Sequence, residues 1–298
     1  MKNNIYDIIY QNGLNIKCDE DIGKHTSVKV SGKARCFVSP KSKQQLLQLL
    51  NILKNNEIKY YILGNGTNTL VANNFFDGVV ISTKYLKRYK ISKNIIYAQC
   101  GLGLFELADI LKKNSLGGLE FAYGIPGSVG GAIFMNAGAY GGFVGDFVEY
   151  IEVIKNGKIV KIKKDKLDFA YRQSLLQKEN LVVVGAKFNL HFAEPRDIEF
   201  LQNYYFQKRL KFQPYDMPSF GSCFKKNPNF PPVSKLIDDL GLKGYTIGGA
   251  QVSKKHAGFI VNIGGASCQN YLEMIKYIQG QIFEHYGFVP ELEVRLLK

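Results

Sequence analysis

Leucine and isoleucine recur at helical spacing through SKQQLLQLLNILKNN (42–56), behind Pro40 and Ser42, which predicts an amphipathic helix with a serine cap. The same period runs through LFELADILKKN (104–114), DIEFLQNYYFQKRLKF (197–212), VSKLIDDLGL (233–242) and SCQNYLEMIKYIQGQIFEHYG (267–287), predicting four more helices. Between them lie short runs of β-type sequence. Two alternating runs meet at Asn156-Gly157 within 148–163, a two-residue turn signal for a hairpin. YYILGNGTNTLV (60–71) reads as strand, tight glycine loop, strand. Further strands are predicted at 78–83, 94–100, 181–192, 249–252 and 258–262, and LEVRLLK closes the chain as a terminal strand.

The texture changes at Glu194-Pro195, which suggests a boundary near 190–196. A β-rich α+β part precedes it and a smaller α+β part follows. Helices and strands do not alternate as a doubly wound parallel sheet requires. With 298 residues, 46% hydrophobic and 21% charged, the chain can bury a large core, and disorder or a small disulfide scaffold is excluded. No run reaches the ~18 apolar residues of a membrane span. MKNNIYDIIYQNGLNIKCDED has no apolar signal core, so the expected compartment is the cytoplasm.

Charge adds less. The balance is 39 − 25 = +14, carried by six arginines and 33 lysines. That suits anionic ligands such as nucleotides, but an ordinary lysine-rich surface accounts for it equally well, because no run of five like charges appears. Cysteines 18, 36, 100, 223 and 268 form no C-x-x-C pair, and histidines 25, 191, 256 and 285 stand far apart. Reduced thiols and no metal site are expected.

Two glycine loops carry more chemistry. Gly64-Asn65-Gly66-Thr67-Asn68 follows a strand, but neither a third glycine with a helix nor Gly-Lys-Ser/Thr comes next. The dinucleotide fingerprint and the P-loop both fail, leaving a plain hairpin turn or an N–H nest suited to a pyrophosphate. Ten glycines then fall between 117 and 145, against 30 in the whole chain. Glycine costs backbone entropy, so close approach to a flat or phosphorylated ligand is the favoured cause, with Pro126 stiffening the loop. A run of turns in a β-meander is the alternative.

At this point seven segments, in order along nearly the whole chain, resemble one family. They are HTSVKVSGKA (25–34), ILGNGTNTLV (62–71), GLEFAYGIPGSVGGAIFMNAGAYGG (118–142), FAYRQS (169–174), FGSCFKKNP (220–228), GLKGYTIGGAQVSKKHAGFIVN (241–262) and LEVR (292–295). The family is that of the UDP-N-acetylenolpyruvoylglucosamine reductases. The third and sixth segments are long and specific.

The resemblance implies an α+β FAD-binding fold of the vanillyl-alcohol oxidase type. Residues 1–193, two subdomains split near 60, would bind FAD. Residues 194–298 would bind substrate, with the C-terminal strand returning to the active site. It implies non-covalent FAD, NADPH, and reduction of the enolpyruvyl ether of UDP-GlcNAc-enolpyruvate to UDP-N-acetylmuramate for peptidoglycan. Hydride would pass by way of FAD to C3, and the C2 charge would need stabilising and protonating.

By the same resemblance Ser222 is the proton donor, Arg172 polarises the substrate carboxylate, and Glu293 stands beside the reacting double bond. Glu291 competes for that last role, and the E-V-R motif selects Glu293. Cofactor contacts are expected from Gly64, Asn65, Gly66, Thr67, Asn68, Gly124, Ile125, Pro126, Gly127, Ser128, Gly130, Gly131, Asn136, Gly138 and Arg295. Substrate contacts are expected from Tyr171, Arg209, Lys225, Asn227 and His256; for His256 a packing role is an equal alternative. Only 36 residues separate Arg172 from Arg209, the mark of a shorter subclass without the tyrosine loop that covers substrate. GSCFKKNP holds one lysine more than the usual motif, and NPNFPPVSK replaces a glycine-containing stretch. The expected partners are UDP-GlcNAc-enolpyruvate and NADPH, with no nucleic acid, no membrane and a monomeric chain.

Two other functions are weighed. A flavin oxidase of the same superfamily often attaches FAD through His or Cys near 117–142, and that stretch has neither. A non-catalytic nucleotide- or RNA-binding protein would be expected to lose Ser222, Arg172 or Glu293, and all three stand. KYLKRYKISK (84–93) is the only basic stretch with interleaved aromatics.

Overall fold

The computed structural model describes residues 5–298. The helix expected at 42–56 forms at Lys43–Asn55. Ser42 caps it, its side chain accepting from Gln45 N at 3.1 Å, and Leu46, Leu49, Leu50 and Leu53 form its buried stripe. Asn156 and Gly157 both take positive φ, +51° and +72°, as their hairpin turn requires. They join Val148–Lys155 to Lys158–Lys163, with Lys155 opposite Lys158 and Tyr150 opposite Lys163.

The chain forms two compact units. The first comprises residues up to Cys18, Cys36–Asn65 and Gly78–Lys208. Its centre is a five-stranded antiparallel sheet in the order Lys158–Lys163, Val148–Lys155, Val182–Asn189, Ile95–Gln99, Tyr89–Ser92. Tyr60–Leu63 runs parallel to the end of Phe75–Ser82, Tyr60 opposite Val79 and Leu63 opposite Ser82. One apolar cluster, including Leu46, Leu107, Ile133, Ile151, Val184 and Phe188, fills this unit.

The second unit comprises Asp19–Arg35, Gly66–Asp77 and Arg209–Lys298. Its antiparallel sheet runs Ser219–Ser222, Phe259–Asn262, Ala250–Val252, Thr246–Ile247. Helix Cys268–Tyr286 carries a Ser267/Asn270 capping box and ends on Gly287 at φ +74°. Arg295–Leu297 pairs in parallel with Thr69–Val71.

Compactness thus divides the chain differently from a linear cut near 190–196. Val28, Val30 and Leu70 pack in the same apolar cluster as Phe220, Ile237, Ile260 and Ile278. Ser27 Oγ donates to Ser219 O at 2.5 Å, and Asn262 Nδ2 to Val28 O at 3.1 Å. The expected strand–loop–strand at 60–71 exists, but it is no hairpin. Its two strands go to different sheets, each parallel to a partner distant in sequence. Among the described residues no helix is long and apolar enough to cross a membrane.

Candidate active site

In the first unit the two glycine loops meet. Asn65 Nδ2 donates to Pro126 O at 3.0 Å. A Cβ on Gly64 would lie 2.5 Å from Ser128 Oγ, and one on Gly130 2.8 Å from Cys100 Cβ. Ser128, fully buried, caps the short helix Val129–Met135. Leu104 N donates to Gly127 O, and Ile125 N to Ala122 O, at 3.0 and 2.9 Å. The result is a backbone cradle in which Gly64 leaves no room for a side chain beside Ser128. Its rim residues, Gly64, Asn65 and 124–128, carry no charge. Such a surface fits a dianionic, flat dinucleotide such as FAD, which needs close backbone and no carboxylate nearby.

For four of these glycines the neighbour that leaves no room for a Cβ is a side chain of the protein itself. Added Cβ atoms on Gly118, Gly138, Gly142 and Gly145 would lie 2.4–2.7 Å from Phe147, Phe143, Phe121 and Asn136. These four are needed for the protein to pack on itself. Asn136, expected at the cofactor, spends both ends of its amide inside the protein. Its Oδ1 accepts from Gly145 N at 3.0 Å and its Nδ2 donates to Ala170 O at 2.9 Å.

Ala170 and Gln173 exchange both backbone hydrogen bonds, each 3.2 Å, and leave Tyr171 and Arg172 at the tip of a tight turn. Arg172 sits at φ +53°, an unusual conformation for a residue with a Cβ. Its guanidinium carbon lies 5.1 Å from the centroid of the exposed Tyr171 ring.

The second unit brings Ser222 and Glu293 onto neighbouring backbone segments. Glu293 N donates to Cys223 O at 2.8 Å, Phe224 bridges Leu292, and Lys225 N donates to Glu291 O at 2.8 Å. Ser222 ends strand Ser219–Ser222, just past Gly221 at φ +84°, and its Oγ donates to Phe224 O at 3.3 Å. The Cys223 thiol is buried and inert: burial, then the Glu293 charge, push it up. The two glutamates part company. Glu291 is exposed and paired with Lys225 Nζ at 2.5 Å, whereas Glu293 is half-buried.

Asn68 Nδ2 donates to Glu293 O at 3.1 Å, and Arg295 N to Asn68 O at 3.0 Å. Asn68, at the end of the first glycine loop, thus anchors the segment that carries Glu293 and leads into strand Arg295–Leu297. Gly66, at φ +65°, fits because a Cβ there would lie 2.1 Å from His25 O. Arg209, which alone reads as a charge on a helix surface, is 6% exposed. Asn227 Oδ1 accepts from Asn229 N at 3.1 Å and shapes its own turn. His256 Nδ1 accepts from Gly258 N at 3.1 Å, its ring lies edge-on to Phe259, and burial holds its pKa below the ordinary value. Sequence reasoning passed over Gln177, whose amide reaches the Arg172 turn; a glutamine on a short helix sends no signal.

Residues 213–297 match the C-terminal domain family of UDP-N-acetylenolpyruvoylglucosamine reductase, and residues 34–163 match an FAD binding domain family. The chain is 40% identical over 292 residues to UDP-N-acetylenolpyruvoylglucosamine reductase of Thermotoga sp. (strain RQ2), covering 98% of this chain and 97% of that protein. The enzyme of that name from Clostridium botulinum (strain Okra / Type B1) is 42% identical over 292 residues, covering 98% and 94%. The crystal structure of the reductase (MurB) from Thermus caldophilus superposes with a TM-score of 0.82 at 30% identity, over 95% of this chain and 98% of that one.

Proposed function

The chain belongs to the UDP-N-acetylenolpyruvoylglucosamine reductase family, and on that premise we propose how its residues divide the work of reducing the enolpyruvyl ether of UDP-GlcNAc. FAD, when bound, would supply the hydride-transfer chemistry between NADPH and substrate C3. Gly64, Asn65, Gly66 and Thr67 would hold it non-covalently with Gly124, Ile125, Pro126, Gly127, Ser128, Gly130 and Gly131, and Arg295 would add a cation. In this reading Gly138, Asn136 and Asn68 serve by bracing the loops.

Arg172 sets a planar fork against the substrate carboxylate, where charge builds as hydride arrives at C3. Ser222 then gives its Oγ proton to C2. The hydroxyl is a weak acid, but the carbanion is a far stronger base, and the serine regains a proton from solvent. Glu293, on the segment bonded to Cys223, steadies that transfer. Tyr171, Arg209, Lys225 and Asn227 orient the UDP-sugar; His256 does so through its turn. Lys225 reaches it from its pair with Glu291. The product is UDP-N-acetylmuramate, made in the cytoplasm by a monomer.

The observation that supports this reading best is the hydrogen-bonded pairing of the Cys223 and Glu293 backbones, which brings the segments that carry a hydroxyl and a carboxylate side by side. Its test is an anaerobic flavin-absorbance titration. The protein as purified should be yellow, bleach with NADPH, and recover colour on adding UDP-GlcNAc-enolpyruvate without oxygen. Recovery with oxygen alone would identify an oxidase and overturn the reading.

A further inference from the structure

We propose that Gln177 is a positioning residue for Arg172, locking the backbone of the substrate-carboxylate fork in its left-handed conformation. This rests on the role given to Arg172 above. A residue with a Cβ in the left-handed region is strained, and such strain persists only where surrounding structure over-determines it. The turn 170–173 closes through its own two backbone bonds, which fix its ends but leave the carbonyl of Arg172 at the tip without a share in them.

Gln177 supplies that restraint. Its Nε2 donates to Arg172 O at 3.0 Å and to Phe134 O at 2.9 Å, so the two N–H bonds of one amide link the turn to the end of helix Val129–Met135. Ser174, fully buried, donates to the same Phe134 carbonyl at 2.7 Å. Asn136, just beyond that helix, holds Ala170 O at 2.9 Å from the other side. Leu175 N to Leu167 O, 2.7 Å, fixes the start of the helix Leu175–Glu179 that carries Gln177. Two amides thus hold the two carbonyls that set the direction of the turn. Gln177 holds the one belonging to the arginine itself.

A positioning role predicts a coupled effect. Gln177→Met keeps the length and removes both donors. Losing the bond to Arg172 O, together with that to Phe134 O, should slow substrate-driven reoxidation of reduced flavin by about tenfold. NADPH-driven flavin reduction should stay within about twofold of the parent, since Gln177 touches none of the cradle residues. Arg172→Lys alone should also slow the substrate half-reaction. In the double variant Gln177→Met should add less than about twofold, because the group it positions is already gone. Isothermal titration of the oxidised protein with UDP-GlcNAc-enolpyruvate should show the same non-additivity in affinity.

Additive losses, or equal losses in both half-reactions, would show that Gln177 is only structural and overturn the proposal. An Arg172→Lys variant with unchanged turnover would instead remove Arg172 from the site, and this inference with it. If Gln177→Met fails to fold, Gln177→Asn, which keeps the amide but cannot span both carbonyls, should show the same coupling at smaller amplitude; a null result there would also overturn it.

Discussion

Gly66→Ala tests whether the first glycine loop is fixed by the protein or free to adapt. Gly66 has φ +65°, which costs an alanine roughly 1–2 kcal/mol. The new Cβ would stand 2.1 Å from His25 O and 2.9 Å from Thr26 Cα. Both neighbours are backbone, so no rotamer relieves the overlap, and the 22–28 segment must move by more than 1 Å to restore ordinary contact. That movement is resisted. Ser27 N donates to Gly66 O at 3.1 Å, and Ser27 Oγ donates to Ser219 O at 2.5 Å. Losing one such bond adds roughly 0.5–1.5 kcal/mol, for a total of roughly 1.5–3.5 kcal/mol. That is a large share of a typical stability of about 5–15 kcal/mol. The assay is denaturant unfolding, with flavin content of the purified protein read alongside it. Gly13→Ala is the control: Gly13 has φ +72° but nothing within 4 Å, so only the conformational cost applies. Equal losses in the two variants would refute the contact argument.

Other outcomes are expected. Ser222→Ala should leave NADPH-driven bleaching near normal and slow substrate reduction by two orders of magnitude or more, within the roughly 10²–10⁴-fold range for lost proton transfer; equal slowing of both halves would contradict its role as donor. Gly127→Val should empty the protein of flavin, and a fully yellow variant would show that the 124–128 loop does not touch FAD. Burial lowers the His256 pKa, so the unfolded chain binds the proton more readily. Stability is therefore full above the ordinary histidine value of about 6.5 and falls as pH drops below it towards the folded value. His256→Gln, which can still accept from Gly258 N, should flatten that slope in unfolding curves taken between pH 7 and 5; an unchanged slope would exclude His256 as its source.

Fold and site were legible to different depths, and the reason is distance along the chain. Helix Lys43–Asn55 announces itself through local leucine spacing and Ser42, and the Asn156-Gly157 hairpin through its own turn chemistry. Nothing local says that Thr69–Val71 will pair with Arg295–Leu297, or that Val28 will share a core with Ile278, because those choices belong to whole-chain packing. The site shows the same limit. Motif types point to Ser222, Arg172 and Glu293, while the choice between Glu291 and Glu293 gains a physical basis only when Lys225 is seen to neutralise the first.

The glycines carry the sharper lesson. Their crowding between 117 and 145 reads as one cause, the approach of a ligand, yet the structure gives two. Gly118, Gly138, Gly142 and Gly145 make room for neighbouring aromatic rings and for Asn136, whose amide in turn holds the turn of Arg172. Gly64 lets the first loop close on Ser128, and Gly130 lets helix Val129–Met135 close on Cys100, just past strand Ile95–Gln99. Both groups pack against the protein itself, so a substitution in either should cost stability, and only the identity of the atom that a Cβ would meet tells them apart.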